Sequence, residues 1–281
     1  MERIKERFHK LLNVLKRDEL KILPGHLAFF LVLSVVPIIT LFVYLASFFS
    51  ISLDSVITFM EKSMPKDVLD ILLPFVSGKG IDIHIGLSMF MVFIVASNGA
   101  HSIIVTSNTL YNIENSSYLK RRIKAFFMTI LLVLLFIFIV VVLAFGDYIL
   151  SFIINLKLLQ NIGKNVLIIF AFVKWPLAYI LILISLKIIF TIAPDKAIPS
   201  KYVNRGVQFT TLGFIISTAL FSYYINHFAN YDIFYGGLSN IIVLMIWIYL
   251  LAYILVTGIA INAYIYSERE MPENGSVKKD K

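Results

Sequence analysis

Six apolar stretches, at about 25–50, 83–107, 125–154, 165–192, 206–228 and 238–266, are each long enough to cross a hydrocarbon core, which takes about 20 helical residues. No soluble fold of this length can hide so many. Of the 281 residues, 59% are hydrophobic and 15% charged, and the mean hydropathy is +0.87; soluble domains run at roughly 45–50% apolar and 25% charged. A spanning segment must satisfy its own backbone, so it is a helix or part of a closed barrel, and none of the six looks like a lipid-exposed strand. The chain reads as an all-α integral membrane protein with six transmembrane helices.

The position of positive charge orients those helices. The N-terminal stretch, the second and fourth connections and the C-terminal tail together hold 18 Lys and Arg, against five in the first, third and fifth connections. Lys and Arg concentrate on the cytoplasmic side, so both termini are expected inside. The net charge of +8 thereby finds a membrane explanation, and nucleic acid is not expected as a partner.

Three regions follow: a basic segment over 1–24, a six-helix domain over 25–266 and a polar cytoplasmic tail over 267–281. In the first, Ile4, Phe8, Leu11, Leu12, Leu15 and Ile22 recur at helical spacing among Lys, Arg and Glu. Such a helix either lies in the interface, held by anionic lipid headgroups, or caps the bundle in solvent. In the first outward connection, at about 51–82, Val56, Phe59 and Met60, then Val68, Ile71, Leu72 and Phe75, predict two short amphipathic helices parted at Pro65. The first apolar run follows a charged stretch and lacks a small-residue cleavage site, so it is expected to remain as a helix.

Cysteine is absent, which removes disulfides, thiolate metal sites and cysteine nucleophiles. No HExxH, GxSxG, Walker A or helix-opening GxGxxG sequence occurs. The five histidines are scattered over both expected faces with no carboxylate at ligand spacing. Neither catalytic residues, nor a metal, nor a cofactor is expected.

Polar side chains at membrane depth are costly and each calls for a reason. Asp147 and Lys174 both fall roughly 10–13 Å below the outer surface of an antiparallel helix 3–helix 4 hairpin and can meet as an ion pair, either structural or part of a transport path. Helix 2 carries Asn98, Ser102, Thr106 and Thr109 on one face, with Ser97, His101 and Asn108 adjoining. These either hydrogen-bond to neighbouring helices or line a water-filled cavity. With Ser34 of helix 1 and Asn262 of helix 6, the candidate cavity residues are Ser34, Asn98, His101, Ser102, Asn108 and Asn262. They are expected below the midplane, around a cavity opening inward. Outside, the link between helices 5 and 6 offers Asn230, Tyr231, Asp232, Tyr235, Gly236 and Gly237, where the glycines permit an unusual backbone whose amides can bind an anion or simply start helix 6.

Four stretches in order, GHLAFFLVLSVVPIITL (25–41), ASNGAHSIIVTSNTLYNI (96–113), APDKAIPSKYVNRGVQF (193–209) and YGGLSNIIVLMIWIYLLAYILVTGIAINA (235–263), resemble the YihY/virulence factor BrkB family of bacterial inner-membrane proteins, formerly labelled ribonuclease BN. The resemblance implies six transmembrane helices in the cytoplasmic membrane and no settled activity. Family members often carry a Glu in a GAELNA-like stretch near the end of helix 6. Here the stretch is Gly258-Ile259-Ala260-Ile261-Asn262-Ala263, with Ala260 at the acidic position, so a proton-coupled mechanism through that carboxylate lacks its residue.

The function expected from these features is transporter-like or lipid-handling, with a small-molecule or lipid substrate. A non-transporting membrane scaffold is the alternative, and an oligomer is compatible with either.

Overall fold

The computed structural model describes residues 18–48, 57, 85–134, 163–227 and 236–270, and every regular element among them is helical. In chain order these are α1 (Glu19–Phe48), α2 (Ile85–Leu110), α3 (118–134), α4 (Gly163–Ile192), a 3-10 turn at Ser200–Tyr202, α5 (Asn204–His227), a 3-10 turn at Gly236–Leu238 and α6 (Ser239–Glu270). By length and composition two described stretches can cross a membrane, Asn204–Ile225 and Ile241–Glu268, and a shorter apolar stretch covers Pro176–Ile192.

The helices begin and end where local chemistry dictates. α1 starts at Glu19 rather than at 25 and runs through Pro24 and Pro37. Each proline removes one backbone donor and leaves the carbonyl four residues earlier unpaired. Glu19 in the first turn complements the positive helix end.

α2 closes with a Schellman motif. Asn112 takes a left-handed φ of +53°, the Ile113 amide donates to Asn108 O at 2.9 Å, and the Asn112 amide donates to Thr109 O at 3.2 Å. Asn tolerates that conformation better than most side chains. α4 stops at Pro194, which cannot continue a helix. Gly236, with φ +52°, turns the chain into α6.

α6 is the central post. It packs against α1 and α5, and α5 also packs on α4. Residues 254–263 of α6 are buried without interruption, so this half of the helix touches protein on every side. By contrast, no described side chain of α5 from Leu212 onward is buried. The bundle is therefore tight at the end that holds the α2–α3 and α4–α5 connections and loose along the far half of α5. Leu27, Ile104, Phe190, Val203, Val207, Val256 and Ile259 form the core of the tight end.

Candidate functional site

The tight end holds most of the described polar contacts between helices. Its hub is Asp195, just past α4. One carboxylate oxygen accepts from Asn108 Nδ2 (2.8 Å), Ser116 N (3.1 Å) and Ser116 Oγ (2.8 Å). The other lies 3.0 Å from Lys124 Nζ. Asn108 Oδ1 accepts from the Asp195 amide at 2.8 Å, and Asn108 Nδ2 also donates to Asn115. The Lys124 ammonium donates further to Ala193 O (2.9 Å) and Pro194 O (2.7 Å).

The two loops thus exchange charges. A carboxylate sits where α3 begins, and an ammonium sits on the carbonyls where α4 ends, as the dipoles of both helices favour. Burial alone raises the Asp195 carboxyl, but the donors from Lys124, Ser116 and Asn108 outweigh it and hold the group at about 2.

A second contact joins α5 to α6. Asn262 Oδ1 accepts from the Gly206 amide at 2.7 Å, supplying an acceptor to the first turn of α5, where the helix itself provides none. The backbones approach closely here: a Cβ on Gly206 would stand 2.0 Å from Gly258 O, and one on Gly258 would stand 1.9 Å from Thr210 Oγ1. Only glycine fits either position.

The third contact joins α1 to α2. Ser34 Oγ donates to Phe30 O (2.7 Å), lies 3.3 Å from Val95 O and accepts from the Gly99 amide at 3.0 Å. Two turns away along α1, His26 Nδ1 lies 3.2 Å from Ser102 Oγ.

α3 meets α2 through charge. Arg122 donates to Asn98 Oδ1 and Ile94 O, both at 2.8 Å, and lies 5.3 Å from the centre of the Phe126 ring. His101 and Tyr118 meet edge-on at 5.8 Å. The first turns of α3 therefore lie beside residues 94–101, and α2 continues past them to Leu110.

Near the ends of α2 and α6, Tyr111 and Tyr266 pack edge-on at 5.9 Å, and Tyr202 packs on Tyr266 at 5.6 Å. Burial, and secondarily Tyr266, pushes the Tyr111 phenol well above its ordinary range.

The candidate cavity residues are thus spread over several crossings. Ser34, Ser102, Asn108 and Asn262 are almost wholly buried, and each makes a contact to another element. Asn98 accepts from Arg122, and His101 faces Tyr118. Thr106 is buried, whereas Thr109 is exposed and bonds to its own helix. The basic first turns of α3 stand beside residues 94–101 of α2, and the residues beyond His101 pack among helix ends.

Asp147, Asn230, Tyr231, Asp232 and Tyr235 lie outside the described residues, as do 1–17 and nearly all of 51–82. Lys174 lies on α4 and Gly237 in the 3-10 turn; the Asp147–Lys174 pairing falls outside what is described.

Sequence reasoning missed Asp195, Lys124, Ser116 and Gly206 as positions with a role. A signal existed for the first: Asp195 is the sole acid in a connection holding Lys196, Lys201 and Arg205. Seven buried side-chain atoms have no hydrogen-bond partner among the described residues: His101 Nε2, Thr106 Oγ1, Ser107 Oγ, Tyr111 OH, Arg121 Nε, Thr210 Oγ1 and Asn262 Nδ2.

All the regular elements among the described residues are helical, two of them are long and apolar enough to cross a membrane, and the relatives that the chain resembles are membrane proteins. The virulence factor BrkB family model matches residues 11–281, and the chain belongs to that family. It is 29% identical over 255 residues to the ribonuclease-like protein YfkH of Bacillus subtilis, covering 89% of this chain and 91% of that protein. It is 26% identical over 295 residues to a UPF0761 membrane protein of Psychromonas ingrahamii (100% and 95% covered). A UPF0761 membrane protein of Vibrio atlanticus is 27% identical over 278 residues (94% and 83%). No solved structure matches the chain.

Proposed function

We propose that this chain is a six-span protein of the bacterial cytoplasmic membrane, with both termini inside, that moves or handles a polar or lipid substrate by parting its tight end. The observation that carries this reading is a set of buried atoms on three helices that have no hydrogen-bond partner among the described residues: Thr106 Oγ1 and Ser107 Oγ of α2, Thr210 Oγ1 of α5, and Asn262 Nδ2 of α6. Each such group costs about 1–3 kcal/mol. A bundle that only had to hold together would do better with apolar side chains there. Groups without partners in one arrangement suit water or substrate in another.

The excess of Lys and Arg in alternate connections supports the orientation, in which the tight end faces the cytoplasm. The arrangement described is then closed inward. Parting it would require the Asp195–Lys124 exchange and the Gly206–Asn262 contact to open together.

A non-transporting scaffold is the second reading. It is favoured by Ser34, Asn98, Ser102, Asn108 and Asn262 all bonding to neighbouring elements, as polar side chains that merely join helices do.

The absence of cysteine makes the test direct. A water-soluble maleimide reacts with thiolate and so needs water at the thiol. In Thr210→Cys protein in native membranes, labelling is expected over time, with Lys201→Cys labelled rapidly and only from the cytoplasmic side. A thiol at position 210 that stays unlabelled in folded protein while position 201 reacts would sink transport through this end and favour the scaffold.

A further inference from the structure

We propose that Arg121, Arg122 and His101, where α2 meets the start of α3, bind a small water-soluble oxyanion of the phosphate type. The proposal goes beyond the transport reading, since such a site can fill without the tight end parting.

The faces of α3 place the site inside the protein. At about 100° per residue, Arg121 falls between Ala125 and Met128 around the helix, with Thr129 on the same side. Those three side chains are buried. Ile123, Phe127, Ile130 and Leu134, all exposed, occupy the opposite side. Next to Arg121, Arg122 reaches across to α2 and donates to Asn98 Oδ1 and Ile94 O, both at 2.8 Å. From α2, His101 meets Tyr118 of the first turn of α3 edge-on at 5.8 Å. Its ring lies close enough to both guanidinium groups, and to His26 of α1, to interact with the charge of each.

Among the described residues, nothing neutralises this charge. The two ion pairs there are Lys21–Asp18 and Lys124–Asp195, and neither arginine has a carboxylate within reach. Asp195, the acid that His101 senses, is taken up by Lys124, Ser116 and Asn108. Arg121, Arg122 and His101 are each half-buried. Like charges held together out of water repel, and a charge removed from water without a partner is costly. An anion relieves both.

The spare donors say which kind of anion. An arginine offers five N–H groups. Arg121 donates one terminal N–H to Ser116 O, and its Nε is buried with no partner among the described residues. Arg122 gives two nitrogens to uncharged acceptors and keeps donors to spare, beside the Phe126 ring. His101 Nε2 is also buried with no partner among the described residues, and it donates when it carries a proton. Forked donors from two helices suit the several oxygens of an oxyanion, which guanidinium matches in geometry as well as in charge. A halide gains nothing from the fork. The occupant comes from water rather than from the bilayer, because the exposed apolar side of α3 faces away from Arg121.

The test is equilibrium binding of radiolabelled inorganic phosphate to full-length protein in detergent, against sodium chloride at matched ionic strength. Saturable binding is expected. At about ten times its dissociation constant, phosphate should raise the unfolding temperature by about 3–6 °C, and chloride should not. Arg121→Gln should weaken binding by about tenfold or more, while Arg121→Lys, which keeps the charge, should keep part of it. Lys120→Gln, one residue away but exposed, should change binding by less than about twofold.

Absence of saturable phosphate binding by wild-type protein overturns the proposal without recourse to any variant. So does full phosphate binding by folded Arg121→Gln protein, or an equal loss in Lys120→Gln, which would mean diffuse attraction. Selective retention of phosphatidylglycerol by protein that does not bind phosphate would assign the cluster to a lipid headgroup and sink the soluble-anion site. The thiol experiment at position 210 reads a different event, so the two proposals can fail separately.

Discussion

Lys124 and Asp195 meet at 3.0 Å between the start of α3 and the end of α4, and each also serves the backbone of the other's helix. The ammonium covers Ala193 O and Pro194 O, while the carboxylate takes the Ser116 amide. Removing either partner leaves a largely buried charge alone, which is costlier than removing both. Lys124→Ala and Asp195→Ala should each destabilise by about 2–3 kcal/mol, and the double variant by less than their sum, with a coupling of about 1–3 kcal/mol. Thermal unfolding of the four proteins in one detergent measures the cycle. Simple additivity would mean that the two side chains act separately.

The same carboxylate predicts an acid limit. Its folded value of about 2 lies below the ordinary 3.8, so the folded state binds the proton less well than the unfolded one. The resulting stability, about 2 kcal/mol, is present above pH 4 and is lost as pH falls from about 4 to 2. Asp195→Asn should therefore lose less stability than wild type over that interval. Parallel pH profiles of the unfolding temperature would refute this placement of the acid-sensitive group.

What the sequence disclosed, and what it withheld, follows from range. Long apolar runs announce helices, and the described parts of those runs are helical in α1, α2, α4, α5 and α6. Family membership was readable because four ordered motifs survive in the chain. Helix pairing was not readable, since any polar residue on α2 can bond to any neighbour. Ser34 and Asn262 were singled out as polar groups at depth, but their partners, the amides of Gly99 and Gly206, are backbone atoms with no sequence signature. Asp195 escaped notice because a loop acid is ordinarily solvated; only the fold brings it to Asn108, 87 positions away.

Glycine positions separate close approach from mere helix composition. At Gly206 an added Cβ would meet Gly258 O at 2.0 Å, whereas at Gly25 it would meet nothing within 4 Å. Gly206→Ala must push α5 from α6 and break the Asn262 contact, at a cost of about 2–4 kcal/mol. Gly25→Ala sits in open space within a helix and should stabilise by about 0.5–1 kcal/mol. Paired unfolding temperatures decide it, at roughly 2–4 °C per kcal/mol for a chain of this size. Equal effects at the two sites would contradict the tight α5–α6 crossing.

At the α1–α2 crossing the question is whether the hydrogen bond or the fit of surfaces holds the helices. Ser34 Oγ accepts from the Gly99 amide, but a Cβ at Gly99 would stand only 3.2 Å from both Ser34 Oγ and Leu31 Cδ2. Hydroxyl bonds between membrane helices are worth about 0.6 kcal/mol on average, because the separated helices find other partners. Overpacking costs about 1–3 kcal/mol. Ser34→Ala should therefore be mild, at about 1 kcal/mol or less, and Ser34→Leu severe, since Leu31 and the α2 backbone leave no space for the longer side chain. If Ser34→Ala proves the worse of the two in unfolding measurements, the hydroxyl is the main tie and the bundle is looser at this crossing than its geometry implies.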